Sequence, residues 1–132
     1  MDPRKHNILI VDDEEHNLDT LRRTFRNKYN VFAACSGEEG LCILRDREIA
    51  LVVTDQKMPG ITGTEFLQQV SVYHPRTIRI VLTGYSDEKS IQAALENGFI
   101  HHYLTKPWST HELQTAVKKA LEAYKNNSWK DT

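Results

Sequence analysis

Five short runs rich in aliphatic and β-branched residues constrain the fold of this chain more than any other feature. The central run, residues 49–54, is almost wholly apolar and is followed by Asp55 and a Pro59-Gly60 turn. A short apolar run that a turn closes is typical of a strand buried on both faces. Asp55 would then lie at the carboxyl end of that strand, where open α/β sheets bind their ligands. The runs predict strands over residues 7–11, 31–34, 49–54, 77–82 and 100–104.

Amphipathic segments follow each of these runs and predict five helices, over about residues 15–27, 37–45, 64–73, 87–97 and 110–125. Ser36 with Glu39, and Ser109 with Glu112, have the capping-box spacing. Ser86 is a further predicted N-cap. His74-Pro75 and Gly98 are expected to end the third and fourth helices. The predicted inward residues are Leu18, Leu21, Phe25, Leu41, Leu44, Phe66, Leu67, Val70, Ile91, Ala94, Leu95, Leu113, Val117, Leu121 and Tyr124.

Strict alternation of strands and helices predicts an α/β chain whose crossovers are right-handed, so that the strands form one parallel sheet. We therefore predict a flavodoxin-like, doubly wound (βα)5 fold with strand order 2-1-3-4-5 and a site near the switch point between strands 1 and 3. The length of 132 residues favours one domain, over residues 1–125, with a linker or tail at 126–132.

Composition and charge exclude several classes of function. The net charge of -1 gives no basis for direct nucleic-acid or membrane binding. The chain has no apolar run long enough to span a bilayer, and its polar start does not resemble a signal peptide. Cys35 and Cys42 are expected to be reduced rather than disulfide-bonded. Together these features predict a cytoplasmic protein.

Polar side chains end four of the predicted strands. Strand 1 is followed by Asp12 and Asp13, strand 3 by Asp55, strand 4 by Thr83 and strand 5 by Lys106. Parallel strands bring these residues to one edge, and three carboxylates there repel one another. A divalent cation and one lysine would neutralise them, and oxygen ligands favour Mg²⁺ over Zn²⁺. An Asp carboxylate beside Mg²⁺ is a known type of phosphoryl acceptor.

These residues also carry a family resemblance. Asp12-Asp13, Asp55 in TDQKMPG, Thr83 in VLTG and Lys106-Pro107 in YLTKPW together resemble the receiver domain of two-component response regulators, over residues 8–124. The resemblance implies that Asp55 is the phosphoacceptor and that a sensor histidine kinase or a histidine phosphotransfer protein supplies the phosphoryl group. It implies a signalling domain rather than an enzyme, with limited self-phosphorylation and autodephosphorylation.

The resemblance also assigns roles around Asp55. Asp13, Asp55 and the main-chain carbonyl of Lys57 would bind Mg²⁺, with Mn²⁺ as a substitute, and Asp12 would act largely through water. Thr83 and Lys106 would each bond a phosphoryl oxygen. The Lys106–Pro107 peptide bond is expected to be cis.

Signal output is expected on one side of the sheet. Tyr103 matches the aromatic switch position of the family, and Thr83 and Tyr103 would move together. The face made by helix 4, strand 5 and helix 5 would then control an output domain or a second receiver. Four residues are expected at the pocket mouth: Lys57, Met58, Gly84 and Tyr85. The family more often has Ala where this chain has Gly84, and the smaller residue is compatible with phosphoryl access.

A finer resemblance lies in the sequence segments LTGYSD and YLTKPW. It is similar to receivers of hydrogenase-regulator-type transcription activators and of HD-domain cyclic-dinucleotide phosphodiesterases. The sequence after Tyr124 encodes neither output, so the chain is either a receiver taken from a longer protein or a stand-alone one.

Three alternatives stay open from the residues. A haloacid-dehalogenase-type phosphohydrolase needs a second Asp two residues after the first, where this chain has Lys57. A flavin carrier needs a hydroxyl- and Gly-rich loop after strand 1, where this chain has four acidic residues. A receiver that acts only as an interaction domain is the third. The six histidines, which have no spacing typical of metal ligands, are His6, His16, His74, His101, His102 and His111.

Overall fold

The structure of the chain, a computed structural model, describes residues 2–84 and 87–125, with only the backbone of residues 124 and 125. Five strands alternate with five helices in these residues, which confirms the predicted α/β fold. The elements are β1 (Asn7–Val11), α1 (Glu15–Phe25), β2 (Asn30–Ala34), α2 (Gly37–Asp46), β3 (Leu51–Asp55), α3 (Gly63–Tyr73), β4 (Ile78–Thr83), α4 (Glu88–Glu96), β5 (His102–Thr105) and α5 (Thr110–Lys125).

The strands form one parallel sheet in the order β2-β1-β3-β4-β5, as predicted. Strands β1, β3 and β4 are almost completely buried because helices cover both faces of the sheet. On one face, Ile8, Ile10 and Val53 pack against α1 and α5. On the other, Leu9 and Val11 pack against α2, α3 and α4. The chain order reverses between β1 and β3, which places the switch point at the end of these two strands.

Local capping explains where several helices begin. Ser36 Oγ accepts from the Glu39 N–H and Ser109 Oγ accepts from the Glu112 N–H, as the spacing predicts. The Glu39 carboxylate accepts from Cys35 Sγ at 3.0 Å, so it has another partner besides any capping role. Helix α3 has a complete capping box from Thr62 and Glu65 that the sequence analysis missed.

Some predicted boundaries and burials differ from the structure. Strand β5 was expected over residues 100–104 but begins at His102, so His101 lies in the preceding loop. Leu41 and Leu95 are partly buried and lie at the margin of the core. Gly98 has φ of +74° and ends α4 as predicted. Asp87 is the N-cap of α4, without a side-chain capping bond. The predicted cap Ser86, the side chain of Tyr124 and the tail at 126–132 lie outside the described residues.

Cysteine state and membrane topology can also be compared with the predictions. Cys35 and Cys42 are both free thiols, in agreement with the prediction, and both are exposed. No helix within the described part of the chain has the length and apolarity needed to cross a bilayer.

Candidate functional site

Four of the five strands deliver polar residues to the carboxyl edge of the sheet. Asp12 and Asp13 follow β1, Asp55 is the last residue of β3, Thr83 is the last of β4 and Lys106 follows β5. The register pairs Val11 with Thr54 and Thr83 with Thr105, so these strands end at nearly the same level. The convergence predicted from the strand ends is therefore present in the structure.

The acidic residues form one tight cluster. One carboxylate oxygen from each of Asp12, Asp13 and Asp55 lies within 4.8 Å of the others. Asp12 is 4% exposed and Asp55 is 8% exposed, whereas Asp13 is exposed. Asp12 Oδ1 accepts from the Glu14 N–H at 2.9 Å, which fixes one of its oxygens. Two nearly buried carboxylates thus share a pocket with a third that faces solvent.

Lys106 is the cation nearest to this cluster. Its Nζ lies 3.5 Å from Asp55 Oδ1, and its side chain is about half exposed. The same Nζ lies 5.7 Å from the centre of the Trp108 ring. The Lys106 N–H donates to the Thr83 carbonyl at 2.8 Å, and the Lys106–Pro107 peptide bond is cis. The backbone at the end of β5 therefore holds the lysine beside the Asp55 carboxylate.

Burial disfavours the charged form of both inner carboxylates. It raises the pKa of Asp55, although the Lys106 ammonium partly opposes this effect. Burial also raises the pKa of Asp12, where the hydrogen bond from the Glu14 N–H opposes it and the Asp55 charge adds to it. One ammonium does not offset three carboxylates. A further cation in the pocket would favour the ionised form of all three.

The donor atoms at this edge fit a hard divalent cation. Three carboxylates contribute only oxygen, and no histidine or cysteine of the described residues joins a group of three potential ligands. The carbonyl oxygen of Lys57 accepts no hydrogen bond from the described residues and so keeps its lone pairs for another partner. Oxygen ligands of this kind suit Mg²⁺ or Mn²⁺.

Thr83 and Tyr103 lie at the ends of β4 and β5 and line the same cavity. The buried Thr83 hydroxyl donates to the Gly84 carbonyl at 3.1 Å. Tyr103 pairs with Val81 in the sheet, and its side chain is 48% exposed. Both residues line a cavity of about 200 Å³ that Ile91 of α4 also borders. An empty space thus lies between the threonine and the outward tyrosine ring.

The predicted pocket mouth is only partly as expected. Lys57 is exposed and Gly84 is half-buried, which suits positions at the rim. Met58 is a correction: it belongs to the hydrophobic core, and its Sδ lies 3.9 Å from Thr54 Oγ1, because the loop turns this side chain inward. Tyr85 lies outside the described residues.

One residue beside Asp55 was not predicted from the sequence. Gln56 directly follows Asp55, is 3% exposed, and has its side chain hydrogen-bonded to Thr64 of α3. Its place in the sequence, in a polar loop, gave no signal of burial. Only the approach of α3 to the end of β3 encloses it.

A parallel five-stranded sheet with an acidic cluster and a lysine at its carboxyl edge defines a class of signalling domains that accept phosphoryl groups. The model of the response regulator receiver domain family matches residues 8–118 of this chain. The chain therefore belongs to this family, the phosphoacceptor domains of two-component systems.

Relatives of known role support this assignment. The chain is 37% identical over 123 residues to the hydrogenase transcriptional regulatory protein HoxA of Cupriavidus necator, which covers 93% of this chain and 26% of the relative. It is 34% identical to sporulation initiation phosphotransferase F of Bacillus subtilis, with coverage of 90% and 96%. The chain thus spans only about a quarter of the first relative but nearly all of the second.

Solved structures agree with the fold. The signal receiver domain of an HD domain-containing protein from Pseudomonas fluorescens Pf-5 is 35% identical, with a TM-score of 0.88 and coverage of 93% of this chain and 99% of that one. A receiver domain protein from Clostridium thermocellum is 31% identical, with a TM-score of 0.85 and coverage of 91% and 97%. The finer resemblance to hydrogenase regulators and HD-domain receivers is thereby confirmed.

Proposed function

We propose that Asp55 is the phosphoacceptor of this receiver domain and that Mg²⁺ is required for its phosphorylation. The observation that carries the proposal is the convergence of three carboxylates within 4.8 Å, with Lys106 Nζ 3.5 Å from Asp55. Asp55 is the member that both ends a buried strand and contacts the lysine. Asp12 and Asp13 have no such contact with a cation in the described structure.

The chemistry is a phosphoryl transfer to a carboxylate. An Asp55 oxygen forms a bond to phosphorus while the bond from phosphorus to the donor breaks, and a donor imidazole leaves with its ring nitrogen free to take a proton. Lys106 pairs with a phosphoryl oxygen, and the Thr83 hydroxyl, released from the Gly84 carbonyl, bonds another. Asp13, Asp55 and the Lys57 carbonyl would hold Mg²⁺, with Asp12 acting through water, and the bound ion would supply positive charge for the carboxylates and the phosphoryl oxygens.

The output of this reaction is a proposed switch of the face made by α4, β5 and α5. Movement of Thr83 toward the phosphoryl group enlarges the cavity that it shares with Tyr103. The outward ring, now 48% exposed, then has space to turn inward. Helix α4 contributes only Ile91 and Ala94 as fully buried residues, so its hold on the sheet is weak. This combination supports a two-state element beside the site.

Partners follow from the family and its relatives. The phosphoryl donor is a sensor histidine kinase or a histidine phosphotransfer protein. The switched face docks an output domain or a second receiver, and the domain itself binds neither nucleic acid nor membrane.

We place the receiver at residues 1–125, the tail at 126–132, and the protein in the cytoplasm. The hydrogenase regulator HoxA supports a transcriptional output, whereas phosphotransferase F supports a stand-alone receiver.

Incubation with Mg²⁺ and acetyl phosphate, read by intact mass, tests the acceptor. Wild-type protein should gain one phosphoryl group, and Asp55→Asn should gain none because its amide is not a nucleophile. Asp13→Ala should lose phosphorylation together with magnesium binding. The matched control is Glu48→Gln, an exposed acid at the opposite edge of the sheet, which should behave as wild type. Equal incorporation by wild type and Asp55→Asn would place the acceptor elsewhere.

Nuclear magnetic resonance with the phosphoryl mimic beryllofluoride tests the switch. The amide signals of Thr83, Tyr103 and residues 91–95 should shift in wild type. Asp55→Asn, treated in the same way, is the control. Shifts confined to residues around Asp55 would contradict the proposed switch. They would indicate a rigid domain whose partner binds the phosphoryl group directly.

A further inference from the structure

Gln56 makes more hydrogen bonds than its place in a loop would lead one to expect. Its N–H donates to the Leu82 carbonyl at 3.0 Å, and its carbonyl accepts from the Gly63 N–H at 2.9 Å. Its side-chain Oε1 accepts from the Thr64 N–H at 2.8 Å, and its Nε2 donates to Thr64 Oγ1 at 3.1 Å. One buried residue thus joins the ends of β3 and β4 to the first turn of α3.

These bonds close the loop of residues 57–62 at its base. Gly63 lies so near the end of β3 that a Cβ there would overlap the main-chain oxygen of Asp55. Further along the loop, Met58 is inserted in the core. Lys57 lies between these two anchors, with its side chain exposed. The Lys57 backbone, two positions after Asp55, is therefore held on both sides.

The amino terminus of α3 divides its hydrogen bonds between two residues. Gln56 takes the N–H groups of Gly63 and Thr64, while Thr62 takes those of Glu65 and Phe66. All of the first four N–H groups of the helix thereby have protein partners. Because Thr62 and Glu65 already form a complete capping box, the helix has a local start without the side chain of Gln56. What that side chain adds is the link between the helix and the acceptor strand.

We propose that Gln56 is a positioning residue of the phosphoacceptor site. Its hydrogen bonds fix the positions of the Asp55 carboxylate and the Lys57 carbonyl relative to each other, so that both can bind one cation. This inference rests on the proposed function. A metal site needs its ligands held in place before the cation arrives, and the groups that orient the ligands contribute to affinity. The two hydrogen bonds between the Gln56 side-chain amide and Thr64, here called the clamp, supply that constraint. They do so without adding a fourth charge to the acidic pocket.

Magnesium titration of variants tests the clamp. Gln56→Met preserves the volume of the side chain and removes both of its hydrogen bonds, so the magnesium Kd should rise about tenfold. Thr64→Val removes the bond from Nε2, together with the 3.3 Å hydrogen bond between Thr62 Oγ1 and Thr64 Oγ1, and should give a smaller rise. Thr62→Ala is the matched control, because it removes that same hydroxyl contact and weakens the same helix terminus but leaves both bonds from the Gln56 side chain to Thr64 in place. Its magnesium Kd should equal that of wild type.

Trp108 provides the readout, because its ring lies beside Lys106. The titrations use a Trp129→Phe background, which leaves Trp108 as the single tryptophan. Urea unfolding of each variant reports stability, and phosphorylation by acetyl phosphate is measured at saturating Mg²⁺. For a positioning role, Gln56→Met shifts the magnesium Kd while its rate at saturating Mg²⁺ stays within about threefold of wild type.

Two results would overturn the inference. The first is a magnesium Kd of Gln56→Met that equals the wild-type value. If Gln56→Met does not fold, the same comparison is made with Thr64→Val. The second is an equal Kd rise in Thr62→Ala, which would assign the effect to helix stability. If wild-type protein neither responds to Mg²⁺ nor accepts a phosphoryl group, the proposed function itself fails, and that outcome is recognised before any variant is compared.

Discussion

The two edges of the sheet bury charge in opposite ways. At the carboxyl edge, Asp12 and Asp55 are nearly buried, and Lys106 is the one cation of the described residues that forms an ion pair there. At the amino edge, Arg79 of β4 is 5% exposed, and its guanidinium donates four hydrogen bonds to main-chain carbonyls, those of Pro75, Thr77, Gly98 and Phe99. The protein completes the hydrogen bonding of the buried cation but leaves the buried anions short of positive charge.

The surroundings of Arg79 are equally complete. The Arg79 N–H donates to His101 Nδ1 at 2.9 Å, and the His101 N–H donates to the Arg79 carbonyl at 2.8 Å. Thr77 Oγ1 donates to the Ile49 carbonyl. Burial lowers the pKa of Arg79 to about 10, which leaves the guanidinium charged at neutral pH. A buried charge whose bonds are all made inside the protein serves structure, whereas one left short of partners indicates a binding site.

Loss of the Arg79 network should have the largest effect on stability. Arg79→Met leaves four main-chain carbonyls, of which that of Thr77 is buried and the others partly buried, without this donor. We expect it to lower the free energy of unfolding by about 3 kcal/mol. Urea denaturation measures this loss. The exposed Arg76→Met is the control and should change stability by less than about 0.5 kcal/mol. If Arg79→Met still folds and its response to Mg²⁺ is unchanged, the two edges are independent. A loss of unfolding free energy smaller than that of Arg76→Met would contradict the structural role of Arg79.

His101 should make the amino edge sensitive to acid. Burial, helped by the Arg79 guanidinium and by His102, lowers the pKa of His101 from 6.5 to about 4. Between these values the unfolded chain binds a proton that the native protein does not, so stability falls as the pH falls from 6.5 to 4. After allowance for the partial exposure of the ring, the loss is about 1–2 kcal/mol.

His101→Asn separates this effect from other titrations. The Asn Oδ1 takes the place of Nδ1 as acceptor for the Arg79 N–H but does not titrate. The pH dependence of urea unfolding should therefore be flatter in His101→Asn than in wild type. The matched control is His111→Asn, which removes an exposed imidazole of α5. An unchanged slope in His101→Asn would contradict the assignment.

Neutralising Asp55 should stabilise the metal-free protein at the carboxyl edge. Asp55→Asn is near-isosteric and removes one charge from the cluster, for an expected gain of about 1 kcal/mol in the presence of a chelator. With Mg²⁺ at ten times its Kd, wild type gains about 1.4 kcal/mol by mass action and the variant does not. The order of the two unfolding midpoints should thus reverse on addition of Mg²⁺. An order that stays the same would mean that the cluster holds no cation.

Most of the fold was predictable because its signals are local. The buried runs of β1, β3 and β4, the cap of α2 at Ser36 and the stop at His74 can each be recognised from a few neighbouring residues. The start of β5 was not predicted correctly, because residues 98–101 are held by contacts with Arg79, about twenty positions away. Arg79 itself interrupts an apolar run, and that charge was a signal of the network that the sequence analysis did not use.

The site divides in the same way. The strand ends placed Asp12, Asp13, Asp55 and Lys106 together, because parallel topology alone brings those positions to one edge. The burial of Gln56 and the inward side chain of Met58 depend on how closely α3 approaches the sheet. No spacing in the sequence reports that distance, so these residues could be assigned only from the structure.

The smallest effect is expected at Gly84, which follows β4 at the carboxyl edge and has more free space around it than Gly63 at the same edge. A Cβ on Gly84 would have no atom of the described residues within 4 Å, and the Gly84 backbone is outside the left-handed region. Gly84→Ala should therefore raise the free energy of unfolding by about 0.5 kcal/mol, because it restricts the unfolded chain. Gly63→Ala, at the same edge, is the opposing control: its Cβ would overlap the Asp55 carbonyl, so the variant should be destabilised by about 2 kcal/mol. Urea unfolding measures both, and acetyl phosphate should still modify Gly84→Ala, since a methyl group in open space leaves the acceptor accessible. A destabilised Gly84→Ala would contradict the free space around Gly84, and the contrast between Gly84 and the tightly packed Gly63 would be lost.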